Sequence, residues 1–461
     1  MGTKVAFYTL GCKSNQYDTE IMKEAIRNKD AYRIVPFEDN PDIYVINTCS
    51  VTKGADRKSR KYIRRAGRQS GLVLVTGCYT TLDSKTIADI DGVDMIFLNS
   101  HKYKFSKVLD MAESGQRGEI GGSKISNWNL DNKTISRDSS HTRGFVKIQD
   151  GCSNSCTFCK VHYLRGPTRS KSPSKVLEEV RELGKNGFRE IVLTGINLAE
   201  YRSEGLKLPD LMDKLSGLKT TTRIRLSSIN PEGITEPLVN LFSRSEKMCP
   251  YFHIPLQSGS NSILNSMNRS YSREYYLNKI DLIKNKIPGS TFGTDLMVGF
   301  PGESKEDFEL TKDLVKQVGF SNIHVFRYSP RDKTPASKYE PRVDSSVKNQ
   351  RAEELRSLAA SVSKEERNTF KGEELEMILE EPSNKVKGWR GYSRTYLDLH
   401  LPERYGPDGI EPGDTLKVKI TEVNEDFCLA KYTREPNGTS KRSKDTKVLE
   451  SQEPCPKKQG L

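Results

Sequence analysis

The sequence predicts a multidomain α/β chain in three parts, and three observations predict it. Three short apolar runs within residues 1–120, each ending in a cysteine, alternate with helical patterns; this is the mark of a doubly wound parallel sheet. Six strand-like runs within 140–367 alternate mostly with helices, as in an incomplete parallel (β/α)6 barrel. From Thr369 the apolar period drops to two, with turn residues between the runs, which predicts a small antiparallel β-barrel over 368–433. Residues 121–139 read as a linker or covering loop. Residues 434–461, rich in Lys, Ser and Pro, read as a disordered tail.

In the first part, Val5–Leu10 leads through Gly11 to Cys12, Ile43–Thr48 leads to Cys49, and Leu72–Gly77 leads to Cys78. Helical patterns over Tyr17–Asn28 and Ala55–Gln69 separate them. Ligands of such sheets bind at the carboxyl edge, so three cysteines that each follow a strand converge there. They can bind an iron–sulfur cluster with three protein ligands and one open iron. One cysteine after one strand is ordinary, but three in register argue against coincidence. Arg57, Lys61, Arg64, Arg65 and Arg68 recur at helical spacing. That stripe fits a solvated face and a phosphate-binding face equally.

In the second part, the strand Gly144–Gln149 delivers Cys152, Cys156 and Cys159, spaced C-x3-C-x2-C. Three thiolates so close in sequence suit one soft metal centre. Structural zinc wants four ligands; no fourth cysteine is near, although His162 can serve. The better reading is a four-iron cluster that leaves one iron open for a small molecule, with Phe158 packed over it. Ser172 and Pro173 open a helix that ends near Gly187. Strands follow at Arg189–Thr194, Thr222–Ser227, Tyr251–Leu256, Ser290–Val298 and Asn322–Tyr328, and Ser304 to Asp307 is a capping box. The strand ends carry Thr194-Gly195, Ser227-Ser228, Gln257 to Ser260 and Gly299 to Glu303. Each alone is a turn; together they surround one barrel mouth. Arg165, Arg169 and Lys171, with Tyr163, suit phosphate and base contacts or simple loop solubility. In the third part Trp389, Arg390, Tyr392, Arg394 and Tyr396 interleave charge with aromatics, which suits RNA, or an ordinary barrel surface.

A net charge of +13 over 461 residues favours a polyanionic partner, nucleic acid first. No apolar run approaches the ~20 residues of a membrane span, and the N-terminus enters a strand without a signal-peptide shape. Of nine cysteines, Cys249, Cys428 and Cys455 stand apart and read as structural or incidental. Clustered free thiols need a reducing compartment. The expectation is a cytoplasmic protein without membrane association.

The C-x3-C-x2-C spacing with an aromatic before its last cysteine resembles the radical S-adenosylmethionine (SAM) enzymes. The order of parts over about residues 3–433 resembles the methylthiotransferases, which join an N-terminal cluster domain, a radical SAM barrel and a C-terminal TRAM domain. Thr9 to Glu20, Asn47 to Thr52 with its Arg-rich helix, and Tyr328 to Arg331 with Thr334-Pro335-Ala336 look most like the MtaB-type branch. The resemblance implies tRNA carrying N6-threonylcarbamoyladenosine at position 37 as substrate, with a methylthio group added at carbon 2. It implies two [4Fe–4S] clusters, held by Cys152, Cys156 and Cys159 and by Cys12, Cys49 and Cys78. One SAM would methylate the sulfur and a second would give the radical. SAM is expected against Phe158, Thr194, Gly195 and Ser227, and RNA against Arg165, Arg169, Arg390 and Arg394, with no catalytic residue beyond the cluster ligands. A flavodoxin or ferredoxin is the expected electron donor. Ser14 stands where the branch often has Val, and Lys160-Val161-His162 replaces expected apolar residues. The alternatives are isopentenyladenosine in tRNA, a ribosomal-protein aspartate, or an RNA-binding protein with structural clusters. Two three-cysteine sites argue against the last.

Overall fold

The computed structural model describes residues 2–27, 29–120, 129–136, 142–220 and 222–433. The tail and much of the expected linker lie outside the described residues. The N-terminal part is a six-stranded parallel sheet: β1 (Thr3–Thr9), β2 (Tyr32–Ile34), β3 (Ile43–Thr48), β4 (Leu72–Gly77), β5 (Met95–Ile96) and β6 (Gly118–Glu119), in the order β2-β1-β3-β4-β5-β6. The three long strands are those expected. Helix α1 (Lys13–Arg27) starts four residues before its apolar pattern does. Its first turn faces the cysteine loops, where Asn15 Nδ2 donates to the carbonyls of Leu10 (2.8 Å) and Thr48 (2.9 Å), so polar residues stand there. Helix α2 (Lys53–Gly67) is capped by Thr52 Oγ1, which accepts from the Ala55 N–H at 3.1 Å.

The central part has six parallel strands: β7 (Gly144–Lys147), β8 (Glu190–Thr194), β9 (Arg223–Leu226), β10 (Tyr251–His253), β11 (Thr291–Val298) and β12 (Asn322–Arg327). They form two ladders, β9-β8-β7 and β10-β11-β12, joined by the bridges Ile224↔Met248 and Ser228↔His253. Ile191, Leu193, Phe252, Ile254, Phe292 and Leu296 pack outward against the helices in one core. By strand alternation the residues between them line the inside. Helix α1 covers the open side: Tyr17 and Ile21 pack with Phe145 and Val192, joined by Leu130 and Ile135 from the expected linker.

The C-terminal part is a closed five-stranded barrel of β13 (Glu374–Pro382), β14 (Gly388–Ser393), β15 (Asp398–Pro402), β16 (Thr415–Val423) and β17 (Cys428–Tyr432). Its pairings are antiparallel except β15 with β17, which run parallel through Leu399↔Cys428 and His400↔Leu429. Its Tyr392–Tyr396 hairpin closes the amino-terminal end of the central barrel. Tyr396 lies 4.7 Å from the Tyr251 ring. Arg223 and Arg225 donate to the carbonyls of Tyr392, Ser393 and Arg394 at 2.9–3.0 Å. Glu190, fully buried, holds both arginines at 2.7 Å.

Candidate active site

Cys49 and Cys78 directly follow β3 and β4, and Cys12 follows β1 by three residues. Gly11 lets these loops close: its φ is +102°, and a Cβ there would lie 2.9 Å from Cys49 Cβ. Burial pushes the Cys49 thiol up to about 12, helped by Cys78 and Cys12. Burial likewise raises Cys78, and the Arg165 guanidinium pulls it back.

The second trio sits in the loop after β7. Burial pushes Cys152 to about 12 and Cys159 to about 11, with the neighbouring thiols adding to the rise. Arg269 Nη1 donates to Cys156 Sγ at 3.1 Å, and the Val161 N–H donates to Cys159 Sγ at 3.4 Å. Glu200 fastens the loop by accepting from the Ser153 N–H at 3.0 Å. Neutral buried thiols become thiolates when a bound metal compensates them, so both donor sets fit a metal. In neither trio do all three sulfurs lie within 4.8 Å of one another. Tetrahedral zinc would hold them about 3.8 Å apart, so neither trio is a preformed zinc set, and His162 completes no compact one.

The two trios face each other. The helix that begins at Cys78 packs on the helix Val161–Arg165 that follows Cys159. Arg165, 1% exposed, donates to both Asp150 oxygens at 3.0 Å and to Asn15 Oδ1 at 2.5 Å. Lys147 joins Asp150 (3.0 Å) to Asp18, and Lys102 reaches Asn47 at 2.9 Å and Asp18 at 3.4 Å. Burial alone would raise the Asp150 carboxyl, but Arg165 and Lys147 hold it far below the usual carboxylate range. Arg331, from the loop after β12, donates to Asp56 (2.7 Å) and to the Ser50 carbonyl (2.9 Å), beside Cys49. Three cations and two carboxylates thus leave one net positive charge between sites that would carry thiolates.

The Radical SAM superfamily model matches residues 146–315, and the model described as Uncharacterized protein family UPF0004 matches 4–98. A relative from Bacillus subtilis (strain 168) named Threonylcarbamoyladenosine tRNA methylthiotransferase MtaB is 36% identical over 445 residues, 93% of this chain and 96% of its own. Its namesake from Aquifex aeolicus (strain VF5) is 39% identical over 400 residues, 86% and 96% of the two chains. The chain belongs to the MtaB methylthiotransferase family. It is therefore a radical SAM enzyme, a class that takes a [4Fe–4S] cluster and SAM. A tRNA-2-methylthio-N(6)-dimethylallyladenosine synthase from Corynebacterium efficiens is 32% identical over 92% of this chain and 84% of its own. In fold the methylthiotransferase is similar to the radical SAM methyltransferase TsrM from Kitasatospora setae, with a TM-score of 0.56 and 12% identity over 73% of this chain and 77% of that one.

The methylthiotransferase places its other expected site residues unevenly. Phe158 and Met297 both pack against the buried cluster of Ile263, Met267, Phe300, Tyr328 and Ala336 beside the cysteine loop. Thr194 is buried at the end of β8, and Ser227 lies just past β9 with its Oγ buried and unpartnered. Gly195 makes room for Gln149: a Cβ would lie 2.8 Å from Gln149 Oε1, which accepts from the Ile196 and Asn197 N–H groups at 2.9 Å. Arg165 spends its donors in the interior, as described. Arg169 is half-buried against the Arg165 carbonyl. Arg390 is tied to Asp398 (2.8 Å) and Glu381 (2.7 Å), and Arg394 clasps the Met248 carbonyl at 3.0 Å. The site residues that sequence reasoning missed are Arg269, Glu200 and the Asp18–Lys102–Lys147–Asp150 group. Arg269 and Glu200 carry no local pattern. Asp18 stands inside the Cys12–Glu20 stretch, where its helical position beside Tyr17 was the available signal.

Proposed function

We propose that the protein adds a methylthio group to carbon 2 of N6-threonylcarbamoyladenosine at position 37 of tRNA, in the cytoplasm, with electrons from a flavodoxin or ferredoxin. Cys152, Cys156 and Cys159 would hold one [4Fe–4S] cluster, and Cys12, Cys49 and Cys78 a second. When bound, these groups supply reductive cleavage of SAM to a 5'-deoxyadenosyl radical and the sulfur for transfer; an aromatic C–H bond offers no acid–base route. The protein's own part is to position and shield. Phe158, Met297 and Phe300 give the mouth an apolar wall. Ser227 Oγ, just past β9, and Tyr328 Oη, just past β12, are buried without a protein partner and are donors for a ligand at the carboxyl ends of the strands. Arg165 and Arg269 set positive charge against the thiolates.

The observation that carries the reading is the pairing of two three-cysteine loops through Arg165, in a chain 33–39% identical to four relatives that bear the threonylcarbamoyladenosine name. Helix α2 supports the RNA partner. Lys53, Arg57, Lys58, Lys61, Arg64, Arg65 and Arg68 are all exposed on it, and its one acid, Asp56, is buried against Arg331. Among the described residues only Arg65 of these has an acidic partner, Glu38. A merely solvated helix face would mix signs. The test is anaerobic turnover of the iron-loaded protein with a threonylcarbamoylated anticodon stem-loop. Cys156→Ala should abolish both 5'-deoxyadenosine and the methylthio product, and Cys78→Ala the methylthio product alone. Product from Cys78→Ala at the unsubstituted rate would overturn the second site.

A further inference from the structure

His253, Asp295 and His324 stand side by side on the three adjacent strands β10, β11 and β12. His253 Nε2 lies 3.2 Å from one Asp295 oxygen, and His324 Nδ1 lies 3.0 Å from the other. Their strand neighbours Phe252, Leu296 and Val325 face the outer core, so this trio faces the inside of the barrel. The inner face is wet there. Asp295 and Met297 are half-buried and His324 is 52% exposed along the side chain, whereas Leu296 and Val298 are fully buried.

The group is built into the fold. Tyr251 Oη lies 3.4 Å from His253 Nδ1. Gly293 vacates the inner position beside this pair: a Cβ there would fall 2.1 Å from Tyr251 Oη and 2.8 Å from His253 Nδ1. Below the trio, Tyr251 and Tyr396 close the barrel. Above it, Met297, two residues past Asp295 on the same face, packs on the cluster of Ile263, Met267, Phe300 and Tyr328 on which Phe158, beside Cys159, also packs. The trio therefore sits about 7 Å, one strand repeat, behind the apolar wall of the cysteine loop.

We propose that His253, Asp295 and His324 form the subsite for the polar N6 substituent of the target adenosine, with His324 donating to its carboxylate. This rests on the substrate proposed above. A threonylcarbamoyl group ends in a carboxylate and a hydroxyl, several ångströms from C2, so its reader must be set back from the reacting carbon. Asp295 engages Nδ1 of His324 and leaves Nε2 without a protein partner among the described residues. An imidazole held in this way donates from its other nitrogen to a second anion. A dimethylallyl group is hydrocarbon and would bury the two imidazoles and the carboxylate against nothing polar. The same trio thus favours one substituent and rejects the other.

The test compares kcat/KM on synthetic anticodon stem-loops carrying the threonylcarbamoyl group as free acid and as methyl ester. One hydrogen bond to a charged group gives the unsubstituted protein a preference for the acid of roughly 10- to 150-fold. In His324→Leu, whose half-exposed site spares the fold, the ratio should fall to near one. His324→Gln, which keeps a donor, should fall between. An unchanged ratio in His324→Leu overturns the subsite and leaves the substrate standing. Turnover of neither stem-loop by the unsubstituted protein overturns both. One equivalent of zinc bound by iron-free protein, and lost in His324→Leu, would assign the trio to a metal instead.

Discussion

Arg165→Met removes one of three cations from the buried group that joins the two cysteine loops. Asp150 would lose two 3.0 Å bonds and keep Lys147 as its one cationic bond, with the Gly151 N–H at 2.8 Å, and Asn15 would lose its 2.5 Å partner. Breaking a buried charge pair from one side costs about 3–5 kcal/mol. At roughly 2–4 °C per kcal/mol for units of this size, the melting temperature of the iron-free protein should fall by about 6–20 °C. Circular dichroism melts at neutral pH measure this. The pH dependence has a definite sign. Arg165 is the chief group that overcomes burial to depress the Asp150 carboxyl. A depressed carboxyl adds stability above its unfolded pKa and loses it as the pH falls. The two proteins should therefore converge on acidification. Adding Asp150→Asn to Arg165→Met should cost less than the sum of the single changes by at least about 1.5 kcal/mol. A neutral-pH melt within about a degree of the unsubstituted protein, or strict additivity, would refute the charge-network account.

Gly11→Ala forces a side chain onto φ +102° and within 2.9 Å of Cys49 Cβ, so reconstituted iron should fall by about half, from two clusters to one, as measured by iron analysis. Replacing Arg57, Lys61 and Arg64 by Ala should weaken binding of all tRNAs alike and lower the slope of log K against log salt by about 2–3 in anisotropy titrations. Burial alone would raise the Tyr396 phenol, but Lys13, Arg143 and Arg225 hold it below the ordinary tyrosine value. Its contribution to stability is complete above the unfolded value near 10 and is lost as pH falls below it, a pH dependence that Tyr396→Phe should remove from urea titrations.

The long elements were legible because each carries a period: β1, β3 and β4 as continuous apolar runs, and the Ser304 capping box with both hydrogen bonds formed. Strands β2, β5 and β6 span three, two and two residues, too short for any period. Strand β14 was hard to read because its Trp389, Arg390 and Tyr392 suit an RNA surface; its far end docks on the central barrel, where Arg223 and Arg225 donate to the Tyr392 and Ser393 carbonyls. The cysteines were legible from spacing and strand position. Their surroundings were not, because Asp18 meets Lys147 and Arg165, and Asp56 and Ser50 meet Arg331, only where the N-terminal part docks against the barrel.

The most direct measurement is mass spectrometry of tRNA nucleosides from cells with and without the gene. The account predicts selective loss of the 2-methylthio form of N6-threonylcarbamoyladenosine, with its unmethylthiolated precursor accumulating. Loss of the methylthio form of the dimethylallyl nucleoside instead, or no change in any tRNA nucleoside, would contradict it.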